Sequence, residues 1–323
     1  MAAMKMFIKK TVFGIIDILL LPFTLLLLPF LKWVRRFGVE YFPLHRKSFL
    51  GIGVFPVRDH FYEPRFRYPA TFDAGKKREL PLDFQIADQL ASLQTLSYQE
   101  ELASLQGVNN PNFGPGDADL YYLLIRNLKP ARIIEIGSGY SSLIALQALN
   151  RNIVEGRKGE LFCIDPFETI VPGNTAGIQF IREPVENMDL SLFESLQKGD
   201  ILFIDSSHII RPGNDVLFIY QQILPILAKG VLIHIHDIFT PRHYRQDWLS
   251  GLFRFWNEQY LLEAFLYQNT AFRIRCSLNY LAKDYSAEVR KTLTHLEEND
   301  EPSSFWIEKR ESSVVSGQWA QKQ

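Results

Sequence analysis

The sequence predicts an α/β fold with a doubly wound, mostly parallel sheet, preceded by an N-terminal hydrophobic membrane helix or hairpin. Two observations predict the sheet: short apolar runs recur and end in glycine or acidic residues, and segments with helical spacing lie between them. A third observation, an apolar run near the N-terminus that is long enough to cross a bilayer, predicts the membrane segment. The alternation of strands and helices is Rossmann-like.

The central stretch is residues 131–142, where a short strand, a glycine turn and a helix start follow one another. Two glycines break the apolar run, and Ser141 and Ser142 can cap a helix that begins at about Leu143. Backbone N–H groups at such a helix start favour an anionic or polar ligand. We predict that this stretch binds its ligand through Glu135, Gly137, Ser138, Gly139 and Ser141.

Two ligand classes use a glycine turn of this kind. The dinucleotide fingerprint has three glycines, whereas Ser142 occupies the third position here. The carboxylate of Glu135 at the strand end would disfavour a pyrophosphate and would suit a cationic, sulfonium-bearing amino acid. An ordinary glycine turn in some other α/β protein is the remaining interpretation of this stretch alone.

Composition sets the broad class of protein. The chain has 323 residues, enough for one domain of up to about 250 residues with appendages. It is 47% apolar, and a net charge of −1 gives no support to a nucleic-acid partner. The two cysteines, Cys163 and Cys276, resemble neither a disulfide framework nor a zinc cluster, which favours a reducing compartment.

The apolar run at residues 12–31 carries one charged residue, Asp17, and as a helix it would be about 30 Å long, the thickness of a bilayer's hydrocarbon core. A cleaved signal peptide is disfavoured, because the run is too long and a basic stretch follows it. Pro22 and Pro29 leave two membrane modes open, a kinked single span and a bent hairpin.

Basic residues follow the apolar run and set the predicted orientation. Under the positive-inside rule they place the main domain on the cytoplasmic side in either membrane mode. We therefore expect a membrane-associated protein that contacts the lipid bilayer through residues 12–34, with its catalytic domain in the cytoplasm.

Acidic residues stand at the ends of three further predicted strands: Asp165, Asp205 and Asp237, with His208 three positions after the second. Because ligands bind at the carboxyl ends of parallel strands, we expect these four side chains to meet at one edge of the sheet. Asp165 could accept hydrogen bonds from both ribose hydroxyls of an adenosyl ligand, or it could cap the following turn.

Four segments are predicted along the chain. They are a membrane anchor at residues 1–40, an N-terminal extension with a helix at 41–112, the α/β domain at 113–285 and a polar tail at 286–323. Residues 248–267 are predicted to form one helix with an aromatic stripe in the core. Arg254 and Glu258 on that helix could reach the site, although a solvent-facing position is favoured for both.

Several motifs resemble one family when taken together. The stretches IIEIGSGYSS, GDILFIDSSH, GVLIHIHDIF and RFWNEQYLLEAF resemble a group of bacterial class I S-adenosylmethionine-dependent methyltransferases, similar to the sugar and macrolide O-methyltransferases. The resemblance covers roughly residues 113–281. It implies S-adenosyl-L-methionine as the cofactor and a sheet of about seven strands.

The same resemblance suggests a site for a divalent metal ion. In cation-dependent O-methyltransferases, acids at the ends of strands four and five hold a divalent ion, and the matching positions are Asp205 and Asp237. Ile238 follows where those enzymes often have Asn or Asp, a departure that weakens this match. Asp205, His208, His236 and Asp237 could form a site for Mg²⁺ or Mn²⁺. The alternative is that Asp205 caps a turn and His208 is a polar loop residue. We predict His208 as the general base and Asp237 as the metal-assisted alternative.

These observations lead to an expected function. We expect O-methylation of a sugar, glycolipid or other polar acceptor at the membrane, with a small-molecule or glycan or lipid acceptor and no nucleic acid. The alternatives are a nicotinamide-dinucleotide-dependent oxidoreductase on the same fold and a non-catalytic scaffold that retains the cofactor cleft.

Overall fold

The computed structural model describes residues 2–58, 60–61, 63, 67–167 and 175–310, with side chains from residue 9 onward. The chain divides into two compact units, Met1–Tyr68 and Pro69–Gln323. The predicted segment boundaries lie after residues 40 and 112, whereas the two units divide between Tyr68 and Pro69. Part of the predicted extension belongs to the second unit, because Leu93 packs into its core and Gln89 accepts a hydrogen bond from the backbone N–H of Ser277.

The first unit is dominated by one long helix, α1 (Ala2–Phe37). This helix continues through Pro22 and Pro29, so the apolar run is a single helix rather than a hairpin. Gly38, with φ of 100°, ends α1, and α2 (Pro43–Gly51) follows a short 3₁₀ turn. Lys9–Phe37 is long and apolar enough to cross a bilayer, with a mean hydropathy of 2.4 in its most apolar window, none of which is buried.

The second unit is built on a seven-stranded sheet with the order β3-β2-β1-β4-β5-β7-β6. All neighbouring pairs are parallel except the two that include β7, which runs antiparallel to β5 and β6. This confirms the predicted mostly parallel, Rossmann-like sheet. The strands are β1 (Arg132–Ile136), β2 (Glu160–Ile164), β3 (Ile178–Ile181), β4 (Ile201–Ile204), β5 (Leu232–Ile235), β6 (Phe272–Ser277) and β7 (Phe305–Lys309).

Helices cover both faces of the sheet, and the two faces bury separate apolar clusters. Side chains alternate along each strand, so on β1 Ile133 joins one cluster and Ile134 joins the other. The helices of this unit are α3 (Ile86–Gln94), α4 (Asp117–Leu128), α5 (Tyr140–Val154), α6 (Ser191–Glu194), α7 (Asp215–Phe218), α8 (Leu224–Ile226), α9 (Gln246–Ser250), α10 (Glu258–Leu266), α11 (Leu278–Asp284) and α12 (Ser286–Val289).

The predicted polar tail was wrong over the part that the structure describes. Residues 286–310 are folded, and β7 lies between β5 and β6 with Phe305, Trp306 and Ile307 completely buried. A five-residue strand that follows a polar stretch gives only a weak periodic signal, and its partners in the sheet supply the burial that stabilises it. The remainder of the predicted tail, residues 311–323, lies outside the described residues.

The helix predicted at residues 248–267 is interrupted. α9 ends at Ser250 and α10 begins at Glu258, with a loop between them in which Phe253 has φ of 51°. This positive φ is incompatible with a continuing helix. The interruption matters for the site, because it places the start of α10 beside the ends of β4 and β5.

Candidate active site

The strand ends predicted to meet do so at the carboxyl edge of the sheet. Beyond the strands, the backbone N–H of Gly137 donates to Ile164 O at 2.9 Å, and that of Asp205 donates to Ile136 O at 2.9 Å. These two hydrogen bonds continue the parallel ladders by one residue. They fix the glycine turn between the ends of β2 and β4, next to Asp165 and Asp205.

Two features require a glycine at position 137: the backbone conformation there and the close approach of Asp205. The φ of Gly137 is 96°, and a Cβ atom added there would lie 2.8 Å from the backbone oxygen of Asp205. Gly139 differs, because an added Cβ would meet no atom within 4 Å. The turn therefore brings β1 and β4 closer at Gly137 than any other residue would permit, whereas the space at Gly139 is open.

A cleft of about 580 Å³ lies over this turn and is lined by Gly137, Ser138, Asp165 and Asp205. The hydroxyl of Ser138 donates to Asp165 Oδ2 at 2.7 Å, and Asp165 Oδ1 accepts the backbone N–H of Phe167 at 2.9 Å. Asp165 thus caps the turn after β2, as one interpretation of the sequence held, while it also lines the cleft.

Two predicted ligand contacts lie elsewhere. Glu135 is completely buried beneath the turn, where its carboxylate accepts hydrogen bonds from the hydroxyls of Tyr121 (3.1 Å) and Ser142 and from the thiol of Cys163 (3.3 Å). Ser141 is buried in the first turn of α5, which begins three residues earlier than predicted. Strand alternation explains Glu135, since its side chain points to the face opposite that of Ile136, which lines the cleft.

Glu135 nevertheless shapes the turn through Ser142. The hydroxyl of Ser142 accepts the backbone N–H of Gly139 at 3.2 Å while it donates to Glu135. Burial raises the pKa of Glu135 to about 7, against the opposing effect of hydrogen bonds from Ser142, Cys163 and Tyr121. Glu135 therefore supports the glycine turn from beneath, and a direct contact of Glu135 with the ligand stays a prediction.

The ends of β4 and β5 carry a second cluster, formed by Asp205, His208 and Asp237. One ligand atom from each of these side chains lies within 4.8 Å of the others. His208 Nε2 is 3.3 Å from Asp205 Oδ1 and 3.5 Å from Asp237 Oδ2. Asp205 belongs both to this cluster and to the lining of the cleft, so the two parts of the site adjoin at that residue.

His208 is buried and is held on several sides. Its Nδ1 lies 2.9 Å from Glu258 Oε2, and its backbone oxygen accepts N–H groups from Asn257 (2.9 Å) and Glu258 (3.1 Å). The ring centroid of Trp256 is 4.3 Å from that of His208. His208 also adopts a positive φ of 58°, an uncommon conformation that the surrounding contacts maintain.

The charges around His208 determine its protonation. Burial alone would lower its pKa, but hydrogen bonds with Asp205 and Glu258 and the negative charge of Asp237 raise the pKa well above the usual range. An imidazolium cannot accept a proton. A protonated His208 would balance the three carboxylates around it, and its role as general base stays a prediction.

Asp237 is positioned by its own backbone and by β7. The backbone φ of Asp237 is 57°. Its Oδ1 atom accepts a hydrogen bond from the hydroxyl of Ser303 at 3.0 Å and lies 3.7 Å from His236 Nε2. His236 Nε2 also lies 3.2 Å from the backbone oxygen of Asn112, in the loop before α4. Asp237 is thus oriented from the β7 side while its other oxygen faces His208.

Sequence reasoning missed two residues that complete this cluster, Glu258 and Ser303. Glu258 was interpreted as solvent-facing, yet its side chain is completely buried and also accepts the hydroxyl of Ser206 at 2.6 Å. Ser303 lies in the predicted tail. An acid at a helix start is an ordinary feature, so only the interruption after α9 could have indicated the role of Glu258.

The comparisons with known proteins agree with this geometry. Residues 134–238 match the model of a family described as "Methyltransferase domain", a span that begins in β1 and ends just after Asp237. The chain belongs to the class I S-adenosylmethionine-dependent methyltransferases. Every acid at a strand end described above lies within the matched span of this methyltransferase.

A relative in sequence is an uncharacterized protein of Archaeoglobus fulgidus. It is 32% identical to the methyltransferase over 173 residues, which cover 46% of this chain and 76% of the relative.

Three solved structures show weaker likenesses to the methyltransferase. The SAH-bound methyltransferase PaMTH1 of Podospora anserina is 17% identical, with 73% of this chain and 100% of that chain covered and a TM-score of 0.36. The O-methyltransferase TomG of Streptomyces achromogenes with SAM is 12% identical, with 69% of this chain and 90% of that chain covered and a TM-score of 0.36. The structure named cmcI-D160 Mg-SAM is 13% identical, with 82% of this chain and 95% of that chain covered and a TM-score of 0.37.

Proposed function

We propose that this methyltransferase transfers a methyl group from S-adenosylmethionine to a hydroxyl of a polar, sugar-containing acceptor at a membrane, with the aid of a divalent cation. One observation carries the proposal: Asp205 is shared between the cleft over the glycine turn and the cluster with His208 and Asp237. A methyl donor in the cleft and an acceptor at the cluster would therefore be neighbours, as a direct displacement requires.

The cleft fits the donor in its chemistry. Asp165 is a carboxylate beside the glycine turn, and it can accept hydrogen bonds from the two ribose hydroxyls of an adenosyl group. Gly137, Ser138 and Gly139 offer backbone groups at the start of α5, where the open space at Gly139 allows close approach. Glu135 contributes indirectly, since it holds the hydroxyl of Ser142 that fixes Gly139.

The donor set at the strand ends fits a hard divalent cation. Two carboxylates and one imidazole offer oxygen and nitrogen atoms within 4.8 Å of one another, a combination that suits Mg²⁺ or Mn²⁺. Glu258 binds the far nitrogen of His208, as carboxylates commonly do behind a metal-binding histidine. Asp205, His208 and Asp237 would hold the ion, whose chemistry is to polarise an acceptor hydroxyl and lower its pKa.

The residues of the chain supply the remaining steps. Asp237 is the candidate proton acceptor, because one of its oxygens is held by Ser303 and the other faces the cluster. With the ion bound, the Nε2 atom of His208 would face the ion and Nδ1 would face Glu258, so His208 would have no free nitrogen to take the proton. Ser206 Oγ accepts the backbone N–H of His208 at 3.0 Å and Glu258 lies beside its Nδ1, so both residues keep His208 in place.

The rival functions have less support. The dinucleotide-binding fold has six parallel strands in the order 3-2-1-4-5-6, whereas β7 here runs antiparallel between β5 and β6. A non-catalytic scaffold would not need the cluster beside the cleft, with Glu258 buried to support it. Both observations favour methyl transfer over the alternatives.

Membrane attachment is part of the same proposal. α1 supplies an apolar helix long enough to span a bilayer, and Arg35 and Arg36 lie in its last turn. By the positive-inside rule, this end and the domain that follows it are cytoplasmic. The acceptor would then be a glycan or a glycolipid headgroup that is accessible from that side.

Calorimetry on the full-length protein in detergent tests the donor first. We expect S-adenosylhomocysteine to bind and NAD to give no heat. Incubation with S-adenosylmethionine carrying a labelled methyl group and a total lipid and glycan extract then tests transfer. Label in an ether linkage of a sugar-containing fraction supports the proposal, whereas label only at nitrogen or sulfur contradicts O-methylation.

A further inference from the structure

An exposed apolar surface lies beside the reaction centre. Three side chains of the loop between α9 and α10 are exposed: Leu252 by 58%, Phe253 by 48% and Phe255 by 43%. Ile210, 36% exposed, comes from the loop after β4, and its backbone N–H donates to Asn257 Oδ1 at 2.7 Å. We call these four residues the apolar rim.

The apolar rim is held in place rather than loosely attached. The guanidinium of Arg254 lies 4.4 Å from the ring centroids of both Trp248 and Trp256, and the two indoles are 5.0 Å apart. The backbone N–H of Arg254 donates to Trp248 O at 2.8 Å. Alternate residues of the loop thus pack inward, and Leu252, Phe253 and Phe255 are presented to the outside.

The conformation of Phe253 is strained. Its φ of 51° is unfavourable for a bulky side chain, and the ring is left about half exposed. Strained backbone conformations cluster at functional sites. An apolar surface with basic residues next to it in sequence, here Arg211 after Ile210 and Arg254 after Phe253, is suited to the interface of a lipid bilayer.

The rim is also coupled directly to the reaction centre. Trp256, which packs under Arg254, contacts the ring of His208, and Asn257 and Glu258 donate to the backbone oxygen of His208. A surface seated on the apolar rim would therefore lie next to Asp205, His208 and Asp237. Trp256, the tryptophan of the loop, belongs to the residue type enriched at membrane interfaces.

We propose that the apolar rim enters the membrane interface and that the methyltransferase takes its acceptor from the bilayer surface, as a lipid-linked molecule with its hydroxyl at headgroup level. The bilayer is the occupant because the same chain carries the apolar helix Lys9–Phe37. This inference depends on the proposed function, which it narrows from polar acceptors in general to lipid-linked ones.

A fluorescent thiol label tests the inference in full-length protein reconstituted into liposomes. Both cysteines of the chain are buried, so labelling with an environment-sensitive dye is directed to an introduced thiol. Phe253→Cys reports on the rim, and Phe255→Cys does so independently if the first variant fails to fold. Val154→Cys is the matched control, an apolar residue 85% exposed at the C-terminal end of α5, away from the rim.

The readout is quenching by lipids that carry a nitroxide near the headgroup. We expect quenching at residue 253 or 255 to exceed that at residue 154 by about twofold or more. Equal quenching at the rim and at residue 154 would overturn the inference. Leu26→Cys in α1, read with lipids that carry the nitroxide on the acyl chain, separates membrane attachment from the rim proposal. If residue 26 is quenched by these lipids and the rim is not quenched by the headgroup-labelled lipids, attachment stands and the rim proposal fails. If residue 26 is not quenched by the acyl-chain nitroxide, both fail.

Discussion

The Nδ1 atom of His208 lies 2.9 Å from Oε2 of Glu258, and the opposite ring nitrogen faces Asp205 and Asp237. A buried carboxylate thus fixes the orientation of a histidine that completes a cluster with two acids. The arrangement is that of a ligand histidine with a supporting carboxylate. It explains why Glu258, at the first position of α10, is completely buried.

Glu258→Gln should weaken the divalent site without removing a ligand. Gln keeps the shape but not the charge of the group behind His208, and loss of such a supporting partner typically costs about 10- to 100-fold in metal affinity. Calorimetric titration with Mn²⁺ checks this. Glu194→Gln, at an exposed acid on α6, is the control and should bind as the unaltered protein does. Unchanged affinity in Glu258→Gln would argue against a supporting role.

Gly137→Ala should destabilise the fold more than Gly139→Ala. At Gly137 the new Cβ would meet the Asp205 backbone oxygen at 2.8 Å, and the positive φ adds strain, for a combined cost of about 1–3 kcal/mol. At Gly139 the space is open. Thermal unfolding of the two variants measures the difference, and equal stability would contradict the close approach of β1 and β4.

A Gly139→Ala variant that is stable but binds S-adenosylhomocysteine weakly would place the ligand at Gly139.

Asp165→Ala should weaken S-adenosylhomocysteine binding by about 10- to 100-fold, because charge-assisted hydrogen bonds are worth about 1.5–3 kcal/mol. Ser138→Ala is the matched control, since it removes the hydroxyl that donates to Asp165 but leaves the carboxylate in the cleft. Calorimetry on folded variants decides. If the affinity of Asp165→Ala is unchanged, Asp165 serves only to cap the turn at Phe167.

Glu135 should make stability depend on pH. Burial raises its pKa from the ordinary value of 4.5 to about 7, so the folded state retains a proton that the unfolded state loses between these values. The stabilisation is fully present below pH 4.5 and is lost as the pH rises to 7, in total about 3 kcal/mol. The side chain in Glu135→Gln cannot titrate. The difference in the free energy of unfolding between this variant and the unaltered protein should therefore change by about 3 kcal/mol between pH 4.5 and 7. If chemical denaturation gives the same difference at every pH, the raised pKa of Glu135 is contradicted.

The strands that carry the site were predictable because apolar runs end in acids at Asp165, Asp205 and Asp237. Such runs are buried on both faces, and the rule that ligands bind at the carboxyl ends of the strands then places the acids together. The position of Glu135 beneath the turn was harder to predict, because one residue of strand alternation decides whether a side chain lies in the cleft or beneath it.

Glu258 and β7 could not be predicted for a different reason. The burial of Glu258 follows from the break between α9 and α10 and from contact with His208, 50 residues away in sequence. β7 is a short strand whose burial comes from pairing with β5 and β6. Both depend on tertiary contacts that leave no local pattern.

We propose that Asp205, His208 and Asp237 together hold a divalent cation, and pulsed electron paramagnetic resonance of bound Mn²⁺ tests this most directly. We expect one bound ion per chain with a nitrogen coupling from the His208 imidazole. The nitrogen coupling should disappear in His208→Ala, and binding should be lost in Asp237→Asn. Absence of bound Mn²⁺ in the folded, full-length protein with S-adenosylhomocysteine present, or binding that survives unchanged in both variants, would contradict it.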